Sequence, residues 1–200
     1  MAGDFFDVHR VGPTRVAAVI GDVAGHGIES SITAFQAKYL LRVFLRQFRD
    51  PAQAFEELNE QLSSGDRNEE FISCAVVVFD TEAGTLRYAS AGHPAVFLFQ
   101  EEGVLPLRST GPLLMLDPEA HYFSREIPME SGDLVVMYTD GLAEARAAGS
   151  LFGEDRIIKT AERELNAPPD VLCKALLDAA KDHAGGAIDD DTAIMVVRRD

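Results

Sequence analysis

Short apolar runs alternate along the chain with longer stretches in which apolar residues recur every three or four positions. The short runs, rich in Val, Ile and Phe, predict strands at residues 14–20, 71–79, 86–91, 95–99, 121–127, 134–138 and 193–198. Turns between the middle strands are short, as at residues 82–84, which implies antiparallel pairing of strands that are neighbours in sequence. The chain is therefore expected to build antiparallel sheets.

The first predicted helix follows the turn Gly25-His26-Gly27. Five apolar residues then recur at spacings of four, three, four and four, which is the period of a helix with one apolar face. We expect this stripe to face the core, and its residues are Ile28, Ile32, Phe35, Tyr39 and Val43.

Three more helices complete the pattern. Pro51 suits the first turn of a helix that carries apolar residues at 55, 58 and 62 and ends near Ser64 and Gly65. Two further helices are predicted at residues 154–165 and 169–183. Small and polar residues at 182–191 then predict a mobile loop before the last strand.

Counting residues 14–20 as part of a first hairpin, the order of these elements is two strands, two helices, several strands, two helices and a final strand. Helices in pairs do not fit the one-helix-per-strand alternation of a doubly wound sheet, so an antiparallel sandwich flanked by helices is the better interpretation. The length of 200 residues, 46% of them hydrophobic, suits a single domain over residues 1–200. Because a motif stands almost at the first residue, we expect the domain to follow, or to be cut from, a longer N-terminal region.

The charge balance narrows the classes of partner. There are 18 basic and 33 acidic residues, so the formal net charge is 18 − 33 = −15. This charge opposes binding to nucleic acid or to anionic lipid. No apolar stretch reaches the length of a membrane span, and the first residues do not form a secretory signal. We therefore expect a cytoplasmic protein with protein or small-molecule partners.

There are four acidic groups along the chain: Asp4, Asp22, Asp140 and the triplet Asp189–Asp191. Asp22 and Asp140 follow predicted strands, the triplet precedes one, and Asp4 stands at the start of the chain. We expect their carboxylates to meet at one end of the β core. Two carboxylates about 4 Å apart repel by roughly 4 kcal/mol at an effective dielectric near 20, so such a cluster needs cations. The acidic groups therefore predict a metal site.

Each of these residues also has a plain structural interpretation. Asp22 and Asp140 each suit a turn after a strand, and the triplet suits a solvated loop. The triplet does not match the D-x-D-x-T signature of haloacid-dehalogenase phosphatases, because residue 193 is Ala. His26 and His93 stand between small residues, where a histidine can donate a proton or order a loop. There is no G-x-S-x-G motif, which argues against a serine nucleophile.

Six motifs together resemble the SpoIIE-like branch of the metal-dependent type 2C protein phosphatases: GDFFD, GDVAGHG, AGHPA, YTDGLAEAR, LFGEDRI and DDDTAIMVV. The resemblance spans essentially the whole chain. It implies an α+β fold, a four-layer α-β-β-α sandwich with two central antiparallel sheets flanked by helix pairs. It also implies a phosphoserine and phosphothreonine phosphatase that uses two Mn²⁺ or Mg²⁺ ions bridged by a water or hydroxide.

By motif match, the resemblance also implies the metal ligands. Asp22 would bridge both ions, Val23 would offer its backbone carbonyl, and Asp140, Asp189 and Asp4 would complete the ligand set. Supporting roles, including outer-shell contacts or a third, weaker ion, are expected of Asp7, His26, His93, Gly141, Asp190 and Asp191. His26 lies four residues beyond Asp22, whereas eukaryotic relatives have a histidine directly after the Asp-Gly, so the general acid stays open. Ala95 stands where the family usually has proline.

For this bacterial branch, the implied substrate is a phosphorylated anti-sigma-factor antagonist, and a sensor or receiver domain commonly precedes the phosphatase. A homodimer is a further expectation. Two alternatives stay open. One is a pseudophosphatase or regulatory binding module with the same fold, inactive without an N-terminal segment. The other is an enzyme that acts on a small phosphorylated metabolite.

Overall fold

The computed structural model describes residues 3–25, 27–63, 70–147 and 149–200, and the chain forms two compact units. The first unit contains residues 1–94 and 108–129, and the second contains residues 95–107 and 130–200. In chain order the elements are β1 (Phe5–Arg10), β2 (Arg15–Val23), α1 (Ile28–Gln47), α2 (Pro51–Ser63), β3 (Ile72–Asp80), β4 (Thr85–Ala91), β5 (Val96–Gln100), β6 (Gly103–Leu107), β7 (Arg125–Pro128), β8 (Leu134–Tyr138), α3 (Asp140–Ala143), β9 (Arg146–Ala147), β10 (Ser150–Leu151), α4 (Gly153–Arg163), α5 (Pro169–Ala184) and β11 (Ile194–Arg198).

The first unit is a five-stranded antiparallel sheet in the order β1-β2-β3-β4-β7. Helices α1 and α2 pack against one face of this sheet. On that face every second strand residue is buried against the helices, including Phe5, Val19 and Val76. This alternation follows from the two-residue period of a strand and gives the sheet two chemically different faces.

The predicted core-facing stripe on α1 is wrong. Its five residues, Ile28, Ile32, Phe35, Tyr39 and Val43, are between 44% and 65% exposed. The opposite side of α1 faces the sheet, and it is built from Ser30, Thr33, Ala34, Ala37, Leu41 and Leu45. Both faces have helical spacing, so periodicity alone did not separate them. The small residues allow the helix backbone to come close to the sheet, which bulky side chains would prevent.

The apolar face predicted for α2 is confirmed. Phe55 and Leu58 are fully buried and Leu62 is 7% exposed. The predicted end of α2 near Ser64 and Gly65 lies outside the described residues.

The second unit is a four-stranded antiparallel sheet in the order β11-β8-β5-β6. Helix α5 packs on β11, and α4 packs on α5. Their apolar faces bury Ile157, Leu172 and Leu176 together with Phe97 and Tyr138 of the strands. The predicted strand at 134–138 and both predicted helices are confirmed within two residues at each end.

The predicted pairing of β4 with β5 is wrong. Strand β4 pairs with β3 and β7, whereas β5 pairs with β6 and β8 in the other sheet. The connection is Gly92-His93-Pro94, in which Gly92 has a φ of 62°. The left-handed residue redirects the chain and proline has no N–H for a ladder, so this short link is a crossing between sheets and not a hairpin turn.

Other departures are local. The predicted strand at 121–127 is only Arg125–Pro128, and β6 was not predicted because Gly103 and Pro106 are poor strand residues. Helix α5 continues to Ala184, so the loop predicted to begin at 182 begins at Gly185, which ends the helix with a φ of 76°. Across the described ranges, no helix is both long and apolar enough to cross a membrane.

Candidate metal centre

Asp4 and Asp22 lie directly opposite each other at one end of the first sheet. Phe5 pairs with Gly21, and the N–H of Val23 donates to the carbonyl of Gly3 at 3.2 Å, so the same register places Asp4 opposite Asp22. Such opposite residues have Cβ atoms about 4.5–5.5 Å apart on one face, where two like charges destabilise the pairing. This face is the one that α1 and α2 do not cover, and both carboxylates are half-buried.

Two oxygens converge on Gly3. A Cβ atom at this position would lie 2.6 Å from Oδ1 of Asp22 and 2.3 Å from the carbonyl oxygen of Val23. Glycine is therefore required there, because any side chain would collide with both oxygens. A carboxylate and a carbonyl oxygen directed to one place are ligands that hard divalent cations prefer.

Gly21, next to Asp22, has a packing role. A Cβ there would lie 2.5 Å from Cζ of Phe5 and 2.7 Å from the carbonyl oxygen of Ser73. The ring of Phe5 lies over this glycine on the helix-facing side of the sheet, and the close fit holds β1 against β2. The Gly-Asp pair thus joins a tight contact on one face to a carboxylate on the other.

Asp140 is the first residue of the short helix α3, directly after β8 in the second unit. Burial raises the pKa of Asp140 above its ordinary value, and the negative charges of Asp190 and Glu144 raise it further. A cation beside this carboxylate would offset both effects.

The acidic loop before β11 is attached to the end of β8. Thr139 accepts a hydrogen bond from the N–H of Ala193 at its Oγ1 (2.8 Å) and donates its own N–H to the carbonyl of Ala193 (3.0 Å). Gly141 lies against the same loop, since a Cβ there would be 2.1 Å from the carbonyl oxygen of Asp191. Asp140 and the triplet at 189–191 therefore belong to one local structure.

The structure thus places the predicted ligands in two groups. Asp4, Asp22 and Val23 form one group in the first unit, and Asp140 with residues 189–191 forms the other in the second unit. Within residues 3–25, 27–63, 70–147 and 149–200, no three or more His, Cys, Asp or Glu side chains are gathered as ready metal ligands. His26 lies outside the described residues.

Asp7 does not have the outer-shell position expected of it. It lies on the helix-facing side of β1, three residues from Asp4, where alternate residues point to opposite faces. Asp7 is 6% exposed, and its carboxylate pairs with Arg42 of α1. Asp7 therefore holds β1 to α1.

Sequence reasoning missed one polar residue next to this group. Ser73 of β3 is the direct partner of Asp22 across the β2–β3 ladder, and its Oγ lies 2.8 Å from Nδ1 of His93. A serine inside an apolar strand has no motif around it, so only the register reveals its position.

Comparison of the chain with known proteins identifies its family and proteins with a similar fold. Residues 12–200 match the family described as Stage II sporulation protein E (SpoIIE). Protein IcfG of Synechocystis is 27% identical over 229 residues, covering 99% of this chain and 36% of IcfG. Phosphoserine phosphatase RsbU of Bacillus subtilis is 23% identical, covering 100% of this chain and 60% of RsbU. The chain therefore spans less than two thirds of either relative.

A solved structure with a similar fold is the SiaA-PP2C domain of Pseudomonas aeruginosa. It has a TM-score of 0.88 at 20% identity, covering 100% of this chain and 81% of that domain. With its two antiparallel sheets and their helices, the chain has the type 2C phosphatase fold, and the predicted α+β class is confirmed.

Proposed function

Because the chain belongs to the SpoIIE family, as the match over residues 12–200 shows, we propose that it is a metal-dependent phosphatase of phosphoserine and phosphothreonine in proteins. The observation that carries the proposal is the convergence of Asp22 Oδ1 and the Val23 carbonyl beside Gly3, with Asp4 opposite. The relative RsbU, named a phosphoserine phosphatase, supports the reaction class.

The donor set fits two Mn²⁺ or Mg²⁺ ions, since every proposed ligand atom is oxygen. In this proposal Asp22 would contribute to holding both ions and Val23 would offer its carbonyl, while Asp4, Asp140 and Asp189 would supply the remaining protein ligands. Asp190 and Asp191 are left for a third, weaker ion. When bound, the ions would supply a water of lowered pKa as the nucleophile and neutralise charge on the phosphoryl group.

The chain's own residues have a positioning task in this reaction. Asp22 sits inside a strand paired on both sides, so its carboxylate is held by the sheet and not by a loop. The contacts of Thr139 with Ala193 attach the end of the acidic loop to the end of β8. Ligands fixed before substrate binds reduce the reorganisation that the reaction requires, which is the main protein contribution to phosphoryl transfer.

The proposed substrate is a phosphorylated anti-sigma-factor antagonist in the cytoplasm, and the proposed upstream partner is a sensor or receiver domain. Both come from the family resemblance. The net charge of −15 supports a protein substrate over nucleic acid, because a polyanion would be repelled.

The test is phosphate release in Mn²⁺ from a phosphoserine-containing antagonist protein and from para-nitrophenyl phosphate. We expect wild type to release phosphate from both and Asp22→Asn to lose about a thousandfold in rate, because an amide removes the negative charge that would balance the divalent ions. Asp178→Asn is the matched control, since it makes the same chemical change on an exposed residue of α5 and should behave as wild type.

Each outcome separates the alternatives. A folded wild type that binds Mn²⁺ and releases no phosphate from either substrate would contradict the proposal and indicate a binding module. Saturable turnover of a small phosphorylated metabolite, with no action on the phosphoprotein, would indicate a metabolite phosphatase.

A further inference from the structure

A buried histidine pairs with a serine one strand away from Asp22. His93 is 4% exposed, and its Nδ1 lies 2.8 Å from Oγ of Ser73. Buried polar groups in native proteins are hydrogen-bonded. A hydrogen bond between two side chains restricts both of them to few rotamers, at a cost in conformational entropy. The bond therefore fixes both side chains.

The backbone before His93 is held firmly. The N–H of Gly92 lies 2.8 Å from Ser109 Oγ and 3.2 Å from the Gly111 carbonyl, and donates to both. A Cβ on Gly92 would lie 2.5 Å from the side chain of Leu113, and its φ of 62° suits glycine. The imidazole is therefore presented to β3 from a rigid turn.

The strand register places Ser73, and with it His93, next to the proposed metal ligands. Ser73 is opposite Asp22 across β2 and β3, and Asp22 is opposite Asp4 across β2 and β1. Directly opposite residues share a face, with Cβ atoms about 4.5–5.5 Å apart. Asp4, Asp22 and Ser73 thus form one row across three strands, and His93 adds to its end. A serine hydroxyl at that separation is within reach of the neighbouring carboxylate.

We propose that Ser73 and His93 are positioning residues for Asp22: His93 donates its Nδ1 proton to Ser73 Oγ, and the Ser73 hydroxyl donates its own proton to the Asp22 carboxylate. The inference rests on the proposed function in one respect, that Asp22 binds a divalent ion. Groups that orient a ligand from behind change metal affinity by about 10–100-fold when removed. The pair therefore sets how tightly the Asp22 group holds its ion.

The test measures Mn²⁺ affinity without turnover, from the electron paramagnetic resonance signal of free Mn²⁺ in a titration. Ser73→Ala and His93→Leu remove the hydrogen bond. Ser73→Thr keeps the hydroxyl, and His93→Asn keeps an N–H donor near the position of Nδ1. Ser90→Ala is the matched control: Ser90 is a buried serine of the same sheet, with no hydrogen-bond partner for its hydroxyl among the described residues.

We expect Ser73→Ala and His93→Leu to bind Mn²⁺ about 10–100-fold more weakly, and the two conservative variants and the control to stay within about threefold of wild type. The double variant Ser73→Ala/His93→Leu should be no weaker than the worse single variant, because both act through one chain of hydrogen bonds. Thermal unfolding of each metal-free variant shows that the fold is retained.

Two results would overturn the inference and leave the proposed function standing. One is Mn²⁺ affinity of Ser73→Ala and His93→Leu within threefold of wild type while Asp22→Asn has lost binding. The other is equal weakening in the conservative variants, which would reveal a packing role. Wild type that binds Mn²⁺ and releases no phosphate would refute the proposed function alone, and the affinity ratios would still decide the role of Ser73 and His93. Wild type that binds no Mn²⁺ would overturn both.

Discussion

Arg42 on α1 donates hydrogen bonds to both carboxylate oxygens of Asp7 on β1, which ties the edge strand to the first helix. Nη2 of Arg42 lies 2.8 Å from Oδ1 of Asp7, while Nε bonds Oδ2. The hydrogen bonds of Arg42 hold the pKa of Asp7 below its ordinary value of 3.8, although burial acts in the opposite direction. His9 completes the cluster, with Nδ1 3.1 Å from Oδ2 of Asp7.

Asp7→Asn should lower the free energy of unfolding by about 1–2 kcal/mol at pH 7, because a charged partner of Arg42 is lost. The folded-state pKa of Asp7 is depressed, so its contribution is full above the unfolded value of 3.8 and is lost as the pH falls through the folded value. The contribution from the titration of Asp7 itself should therefore be constant above about pH 5 and shrink below pH 4.

Urea unfolding of both proteins between pH 3 and pH 8 measures this difference. His9 also titrates here: burial lowers its pKa, so it weakens wild type as the pH falls below 6.5, and Arg42 and Arg46 contribute to the same lowering. Asp7 opposes this lowering through its charge and its hydrogen bond, so the pKa of His9 falls further in the variant. The difference between the two proteins should therefore grow as the pH falls below 6.5, before loss of the Asp7 contribution reduces it below pH 4. A difference that persists unchanged at pH 3 would contradict the assigned role of Asp7.

Truncating a side chain should lower the free energy of unfolding on the buried face of α1 and leave it almost unchanged on the exposed face. Leu41→Ala should cost about 2–5 kcal/mol, because Leu41 is fully buried against the first sheet. Phe35→Ser should change the free energy of unfolding by less than about 0.5 kcal/mol, since Phe35 is 62% exposed and serine has a similar helix propensity. Denaturant unfolding of the two variants checks the orientation of the helix. A large loss of stability in Phe35→Ser would mean that the face carrying Phe35 is the one that packs on the core.

Gly141→Ala should disturb the acidic loop before β11. Its Cβ would lie 2.1 Å from the carbonyl oxygen of Asp191, so the loop must move or α3 must shift. Overpacking of this kind typically costs about 1–3 kcal/mol. Because Asp140 directly precedes Gly141 and Asp189 lies two residues before Asp191, phosphate release in Mn²⁺ should fall as well.

Gly12→Ala is the control for that prediction. Gly12 lies between β1 and β2, and an added Cβ would come no closer than 3.3 Å to the flexible side chain of Arg15. Calorimetric melting and an activity assay on both variants provide the comparison. An unchanged melting temperature for Gly141→Ala would mean that the contact with residue 191 yields easily.

Strand positions were predictable where the pattern is local. Residues 134–138 are five consecutive apolar residues between turn signals, and β8 occupies those positions. Which face of a helix is buried cannot be predicted from the local sequence alone. On α1, bulky and small residues follow the same spacing, and only the packing of the sheet decides which face is buried.

The pairing of β4 with β5 was predicted wrongly because strand pairing, like the buried face of a helix, is decided by contacts that are distant in sequence. A two-residue or three-residue link usually joins partners in a hairpin. Residues 92–94 have that length, yet the left-handed Gly92 sends β5 into the second sheet. This error does not affect the positions predicted for the acidic motifs. They stand at strand ends, and the residue at which a strand ends does not depend on which neighbour the strand pairs with. Ser73 has no motif, so its position beside Asp22 needed the register.

Neither unit is a continuous stretch of chain, and this shapes how the protein can be made. The first sheet takes its last strand, β7, from residues 125–128, after the chain has already supplied β5 and β6 to the second sheet. A fragment ending at residue 94 would therefore leave β4 as an exposed edge, open to pairing with other chains. During synthesis, β1 to β4 must wait for some thirty further residues before their sheet is complete, so neither sheet can be finished independently of the other's segments.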